Sequence, residues 1–159
     1  MNVIRIQTDD FDVGAEYDAL RQRALGAGAI VQFVGLVRDR YQAGDAEKID
    51  YIELQHYDGM TQRLCEEIVD DAQQRFPFVA ATVVHRVGRL SADQQIVLVT
   101  VASQHRGNAF NAAQFIMDYL KTRATLWKKE VGSRGEQWVG MKQSDRAAAA
   151  RWVEPEQIN

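Results

Sequence analysis

A single cysteine, Cys65, leaves this chain of 159 residues unable to form an internal disulfide or a cysteine-built zinc site. That shortage fits a reducing compartment. The opening MNVIRIQTDDF lacks a basic stretch followed by an apolar run, so no signal peptide is expected. No apolar run approaches the ~20 residues needed to span a bilayer, and the expected location is cytoplasmic. The three histidines and the acids show no HxxxH or HxH spacing, so neither a metal nor a bound cofactor is expected. No GxSxG, P-loop or GxGxxG occurs, which removes the common nucleophile elbow and the nucleotide fingerprints. Nor is there an excess of positive charge: the net charge of -3 argues against a general nucleic-acid binder.

The chain does have the makings of an ordinary globular domain, at 46% apolar and 26% charged residues. Its length suits one domain over 1–159, with 153–159 expected to be a flexible tail. Strands are expected at Asn2–Gln7, Ala29–Val37, Ile49–His56, Val79–Val87 and Gln95–Ser103, with a shorter one at Glu136–Met141. Gly35 marks a bulge or close approach in the second of these. In Ile49–His56, Ile52 and Leu54 should face one way and Tyr51, Glu53 and Gln55 the other. Gln95–Ser103 is the most apolar strand and should be central. Arg38–Ala46 is expected to be a charged loop.

Helices are expected at Val13–Leu25 with Asp12 as N-cap, at Asp58–Phe76 with a Met60/Leu64/Ile68/Ala72 stripe, and at Ser144–Trp152 with Ser144 as cap. Gly88 should begin a turn. The stretch Ser103–Glu130 reads as one long helix with Ser103 as cap. The pattern is α+β, with two long helices packed on one face of a mixed or antiparallel sheet.

Cations dominate the candidate chemistry. His105 and Arg106 lie in the first turn of the long helix, where free N–H groups and the dipole favour an anion. The same pair also fits a plain cap and a local ion pair. Lys121 lies beside Met117 and Leu120 at the edge of the apolar stripe. A partly desolvated lysine suits acid–base work, but on residue types alone a snorkelling lysine that completes the helix end is preferred. Lys128, Lys129 and Glu130 follow Trp127, an aromatic able to wall a pocket. If the helix is continuous, Lys121 and Lys128 share one side of it. Arg38 follows an apolar strand and could point into a site. His56 and His85 read as structural, and Cys65 as core.

Several segments together resemble one family, the large catalytic subunit of molybdopterin synthase. They are FVGLVR (Phe33–Arg38), LQHYDGM (Leu54–Met60), VVHRVGRL (Val83–Leu90), SQHRGNAF (Ser103–Phe110), FIMDYLKTRATLWKKE (Phe115–Glu130) and SDRAAAARW (Ser144–Trp152). The likeness spans nearly the whole chain. It implies an α/β hammerhead-type fold with a small added β subdomain. It also implies transfer of sulfur from the C-terminal Gly-Gly thiocarboxylate of a small ubiquitin-like carrier to a cyclic pyranopterin monophosphate. The large subunit is then a homodimer at the centre of a heterotetramer. This chain ends Gln157-Ile158-Asn159 and is not expected to be the carrier.

Carried onto this sequence, the resemblance gives Lys121 as the central catalytic lysine and Lys128 as the second. Arg38, His105 and Arg106 bind substrate, as do Lys129 and Glu130 beside Lys128, and Phe33 and Met117 line the pocket. Leu36 stands where a polar or basic residue is common in the family. Non-catalytic pterin-phosphate binding and a scaffolding role are the rival readings. A straight helix from His105 to Lys121 would separate its ends by roughly 24 Å. One small pocket cannot take both ends, so a site shared between subunits is expected.

Overall fold

The computed structural model describes residues 1–38, 49–132 and 135–153. The expected loop beyond Arg38, residues 133–134 and the tail beyond Val153 lie outside the described residues. Among the described residues, two four-stranded sheets and four helices make an α+β fold.

The first sheet has the order β1 (Val3–Gln7), β4 (Ala80–Arg86), β6 (Gln95–Ser103), β2 (Ala29–Leu36). It is mixed: β1 runs parallel to β4, while β4–β6 and β6–β2 are antiparallel. All seven residues of β4 are buried, because helices cover both faces of the central strands. On one face Ala81, Val83, Val97, Val99 and Val101 meet α2 (Met60–Arg75) and α3 (Arg106–Leu120). On the other, Ala80 and Ala102 meet Leu20 and Ala24, from α1 (Val13–Arg23) and its C-cap. The two longest helices thus share one face as expected, and α1 closes the second. Asp12 caps α1, its Oδ1 accepting from the Ala15 amide at 2.9 Å.

The register of β2 slips between Gly35 and Leu36. A Cβ on Gly35 would come within 2.7 Å of Val97 Cγ1, so only glycine fits the bulge there.

The second sheet has the order β5 (Gly88–Leu90), β3 (Ile49–His56), β7 (Leu126–Gly132), β8 (Gly135–Val139). Ile52 and Leu54 point inward to a small core with Val37, Val87 and Leu90. This sheet is the added subdomain. A short last helix, α4 (Gln143–Ala150), leads to Trp152, whose ring packs on Phe76 and Phe115. No described helix is long and apolar enough to cross a membrane.

Four expectations are corrected. The stretch Ser103–Glu130 is not one helix: α3 ends at Leu120, a turn follows, and β7 begins at Leu126. Thr122 Oγ1 donates to the Asp118 carbonyl, and Thr61 Oγ1 binds both the carbonyl and the hydroxyl of Thr125. The first adds a side-chain bond to a carbonyl of the last turn, and the second holds the turn that follows at Thr125. The buried face of α2 is Thr61, Cys65, Ile68, Val69 and Ala72, which leaves Met60 exposed and Leu64 partly so. The caps of α3 and α4 are His105 and Lys142, not Ser103 and Ser144, and neither makes a side-chain cap bond. Ser103 instead ends β6 as a buried residue whose hydroxyl donates to the Pro77 carbonyl. Gly88 begins β5 and not only a turn: it has φ 86° and pairs with Leu54.

Candidate functional site

The two ends of α3 face different ends of the first sheet. Its start follows β6 directly, at the end where Ala29 pairs with Ser103. Gly28 is essential to that start, since a Cβ there would lie 2.4 Å from the Gln104 carbonyl oxygen. The Gly28 amide donates to the Ser103 carbonyl at 2.9 Å. His105 and Arg106 leave this corner exposed.

The helix then returns over β6 and β2, and its 15 residues carry Lys121 about 22 Å away at the Gln95 end of the sheet. Arg38 is at that same end. It follows Val37, whose amide and carbonyl bond Gln94 and Asp93 at the start of β6. Phe33 pairs with Val99 and so lies, exposed, on the sheet face that α3 covers, and Met117 packs onto the core of that face from α3. The structure therefore places Arg38 and Lys121 at one end of the sheet, and Phe33 and Met117 on the face that α3 covers. It sets His105 and Arg106 apart from them.

Lys128 joins the Lys121 end through a strand, not through a shared helical face. In β7, Lys128 is opposite Leu54 and Glu130 is opposite Ile52, on the inward side of the second sheet. Lys128 Nζ stands 3.9 Å from Glu130 Oε1. Lys129 has the opposite orientation. It pairs with Glu53 and Trp138, and its ammonium is 3.6 Å from Glu53, 3.4 Å from Glu136 and 5.5 Å from the Trp138 ring centroid. Desolvation pulls its pKa down, but the bonds and charges of Glu136 and Glu53 outweigh that and raise it. Its surroundings are those of a cross-strand ion-pair ladder.

Two histidines that residue types alone assign to structure belong to this end. His56 closes β3 opposite Leu126, on the inward face and diagonal to Lys128. Its Nε2 is 2.9 Å from Asp58 Oδ1. His85 is buried in β4, with Nδ1 2.8 Å from the Arg86 carbonyl. Desolvation drives its pKa down to about 4; the carbonyl bond opposes this, and Lys121 and His56 add to it. The signal in the sequence was a histidine on the face that Ala81 and Val83 otherwise make apolar in AATVVHR.

Among the described residues, Lys121 has no carboxylate partner, whereas Arg123 pairs with Asp71 at 2.8 Å and Lys129 with two glutamates. A lysine beside neutral or cationic groups and no acid is suited to an incoming anion. Cys65 is buried, and burial followed by the Glu66 charge pushes its thiol up to about 11, so it is no nucleophile. No group of three or more metal-ligating side chains occurs among the described residues. A shallow cleft between α2 and α3, lined by Asp71, Arg75, Phe115, Tyr119 and Arg123, contains none of the candidate residues.

The family model described as MoaE protein matches residues 6–123. The molybdopterin synthase catalytic subunit of Ralstonia nicotianae is 49% identical over 152 residues, covering 96% of this chain and 85% of that one. A solved MoaE protein from Burkholderia ambifaria superposes with a TM-score of 0.82 at 49% identity, covering 97% of this chain and all of that one. Molybdopterin synthase from Staphylococcus aureus gives a TM-score of 0.75 at 28% identity over 85% of this chain and 95% of that one. The two-sheet fold, the cation-rich end of α3 and these matches agree: the chain belongs to the MoaE protein family.

Proposed function

We propose that this chain is the catalytic subunit of a molybdopterin synthase and acts as a sulfurtransferase. It takes sulfur from the C-terminal thiocarboxylate of a small carrier subunit and installs it on cyclic pyranopterin monophosphate. The observation that carries this reading is near-full-length similarity to a protein named for that role. The absence of a usable thiol in the chain fits it, since sulfur must then come from a partner.

In this reading Arg38, Lys121 and Lys128 of one subunit face His105 and Arg106 of a second copy. The separation of about 22 Å along α3 favours that arrangement over one built within a single chain. His105, Arg106 and Arg38 hold the phosphate and balance its charge. Lys121 moves a proton as the thiocarboxylate sulfur attacks the pterin side chain and the cyclic phosphate opens. Lys128 stabilises the anion or the carrier's terminal carboxylate, with Glu130 setting its position. Phe33 and Met117 wall the pterin.

The test is reconstitution with thiocarboxylated carrier and the cyclic pterin phosphate. Molybdopterin formation by the intact chain, and its loss in Lys121→Ala at unchanged melting temperature, is the expected result. Tight pterin binding with no product would favour a binding module instead.

A further inference from the structure

A sheet edge with open N–H and C=O groups pairs with other chains unless charge, proline or shortness prevents it. The two sheets end in four edge strands, β1, β2, β5 and β8. β1 carries Arg5, β5 is three residues long and carries Arg89, and β8 carries Glu136. β2 is different: its eight residues, AIVQFVGL, include no charge and no proline, and among the described residues only β6 pairs with it. Phe33, midway along it, is 43% exposed. α3 brings a second apolar feature to the same edge. It lies over β6 and β2, with α2 on its other side above β1. Phe115 and Tyr119 turn toward α2 and line the cleft between the two helices. At ~3.6 residues per turn, Arg106, Phe110, Met117 and Lys121 fall on the opposite side of α3, toward the open edge of β2. Phe110 is 60% exposed there.

We infer that a second copy of this chain docks on β2: the two β2 edges pair antiparallel about a twofold axis, and the four-stranded first sheets of two copies become one continuous sheet. The inference rests on the shared site proposed above and names the surface that builds it. A twofold axis can join two such edges in two ways. With the axis along the strands, the strands run parallel and the two α3 helices fall on opposite faces of the joined sheet. With the axis normal to the sheet, the strands run antiparallel, and the two α3 helices lie on one face and point in opposite directions. Only the second arrangement brings Arg106 of one copy beside Lys121 of the other. A strand spacing of ~4.8 Å then sets the two α3 axes roughly 10 Å apart, a packing distance for helices. Phe110 of each copy is covered by the second half of the other α3, near Met117.

The test reads association and needs no turnover. The full chain, Phe110→Glu and Trp138→Glu are compared by sedimentation velocity and native mass spectrometry at micromolar concentration. Trp138 is also an exposed aromatic, but on the edge strand β8. The parent chain and Trp138→Glu are expected to be dimers of equal strength, and Phe110→Glu to dimerise at least about tenfold more weakly. Hydrogen exchange of the parent chain over a dilution series needs no variant. Amides of β2 should be protected at least about tenfold more in the dimer, with β1 and β8 unchanged. A monomeric parent chain, a Phe110→Glu dimer as tight as the parent's, or dimer protection at β1 or β8 in place of β2 would overturn the proposal. If the dimer forms through β2 and Lys121→Ala retains turnover, the catalytic reading fails and the interface stands.

Discussion

Lys128 and Lys129 are neighbours in sequence and lie on opposite faces of β7: one is paired with Leu54 above the inner core, the other is held by Glu53 and Glu136 on the outer face. Alternation along a strand makes this separation unavoidable. Lys128→Ala should therefore cut molybdopterin formation by about a hundredfold or more while leaving the melting temperature close to that of the parent protein. Lys129→Ala should lower the melting temperature and affect turnover far less. Parallel thermal scans and turnover assays check both. Equal losses of activity in the two variants would contradict this division of roles.

The burial of His85 has a pH signature. Its folded pKa of about 4 lies below the ordinary histidine value of 6.5, so the unfolded chain binds a proton more readily. The stabilisation is complete above pH 6.5 and is lost as pH falls toward 4, to a total of about 3 kcal/mol. Urea unfolding of the parent protein and His85→Gln across that window measures it. The difference in slope between the two should vanish above pH 7. A parent protein whose stability is flat between pH 6.5 and 4 relative to the variant would contradict a neutral, buried ring.

The turn that separates Lys121 from β7 depends on one buried hydroxyl. Thr61 Oγ1 is 3.1 Å from the Thr125 carbonyl and 2.8 Å from its hydroxyl, and it also accepts from the Tyr57 amide at 3.2 Å. Thr61→Val keeps the shape and leaves these groups without their partner, which should destabilise the fold by about 1–3 kcal/mol. Hydrogen exchange should rise at Thr122–Leu126 more than in β4 or β6. Uniform exchange changes across the molecule would show that Thr61 supports the core and not this turn.

Much of this was legible in the sequence because the signals were local. The Ile52/Leu54 alternation, the Asp12 cap, the bulge at Gly35 and the central place of Gln95–Ser103 each follow from residue type and spacing. The extra strand β7 was not legible, because LKTRATLWKKE satisfies helical spacing and its own propensities do not forbid a helix. What holds the chain after α3 out of a helix is Thr61 bonding Thr125, from distant sequence, and the pairing of Leu126–Gly132 with β3. His56 and His85 were missed for a related reason. Only strand pairing brings them to the lysine end. The separation of His105 from Lys121 did follow from sequence, since helix rise is fixed by the backbone.

The shared site is the central claim, and mixing two inactive variants tests it most directly. Lys121→Ala and Arg106→Ala are each expected to form little molybdopterin alone with thiocarboxylated carrier. Unfolded and refolded together, they should form mixed dimers in which one of the two sites has both residues intact. About a quarter of the parent activity should then return, because half of the dimers are mixed and each carries one working site. No recovery, with mixed dimers demonstrated by native mass spectrometry, would contradict a site built from Lys121 of one subunit and Arg106 of the other.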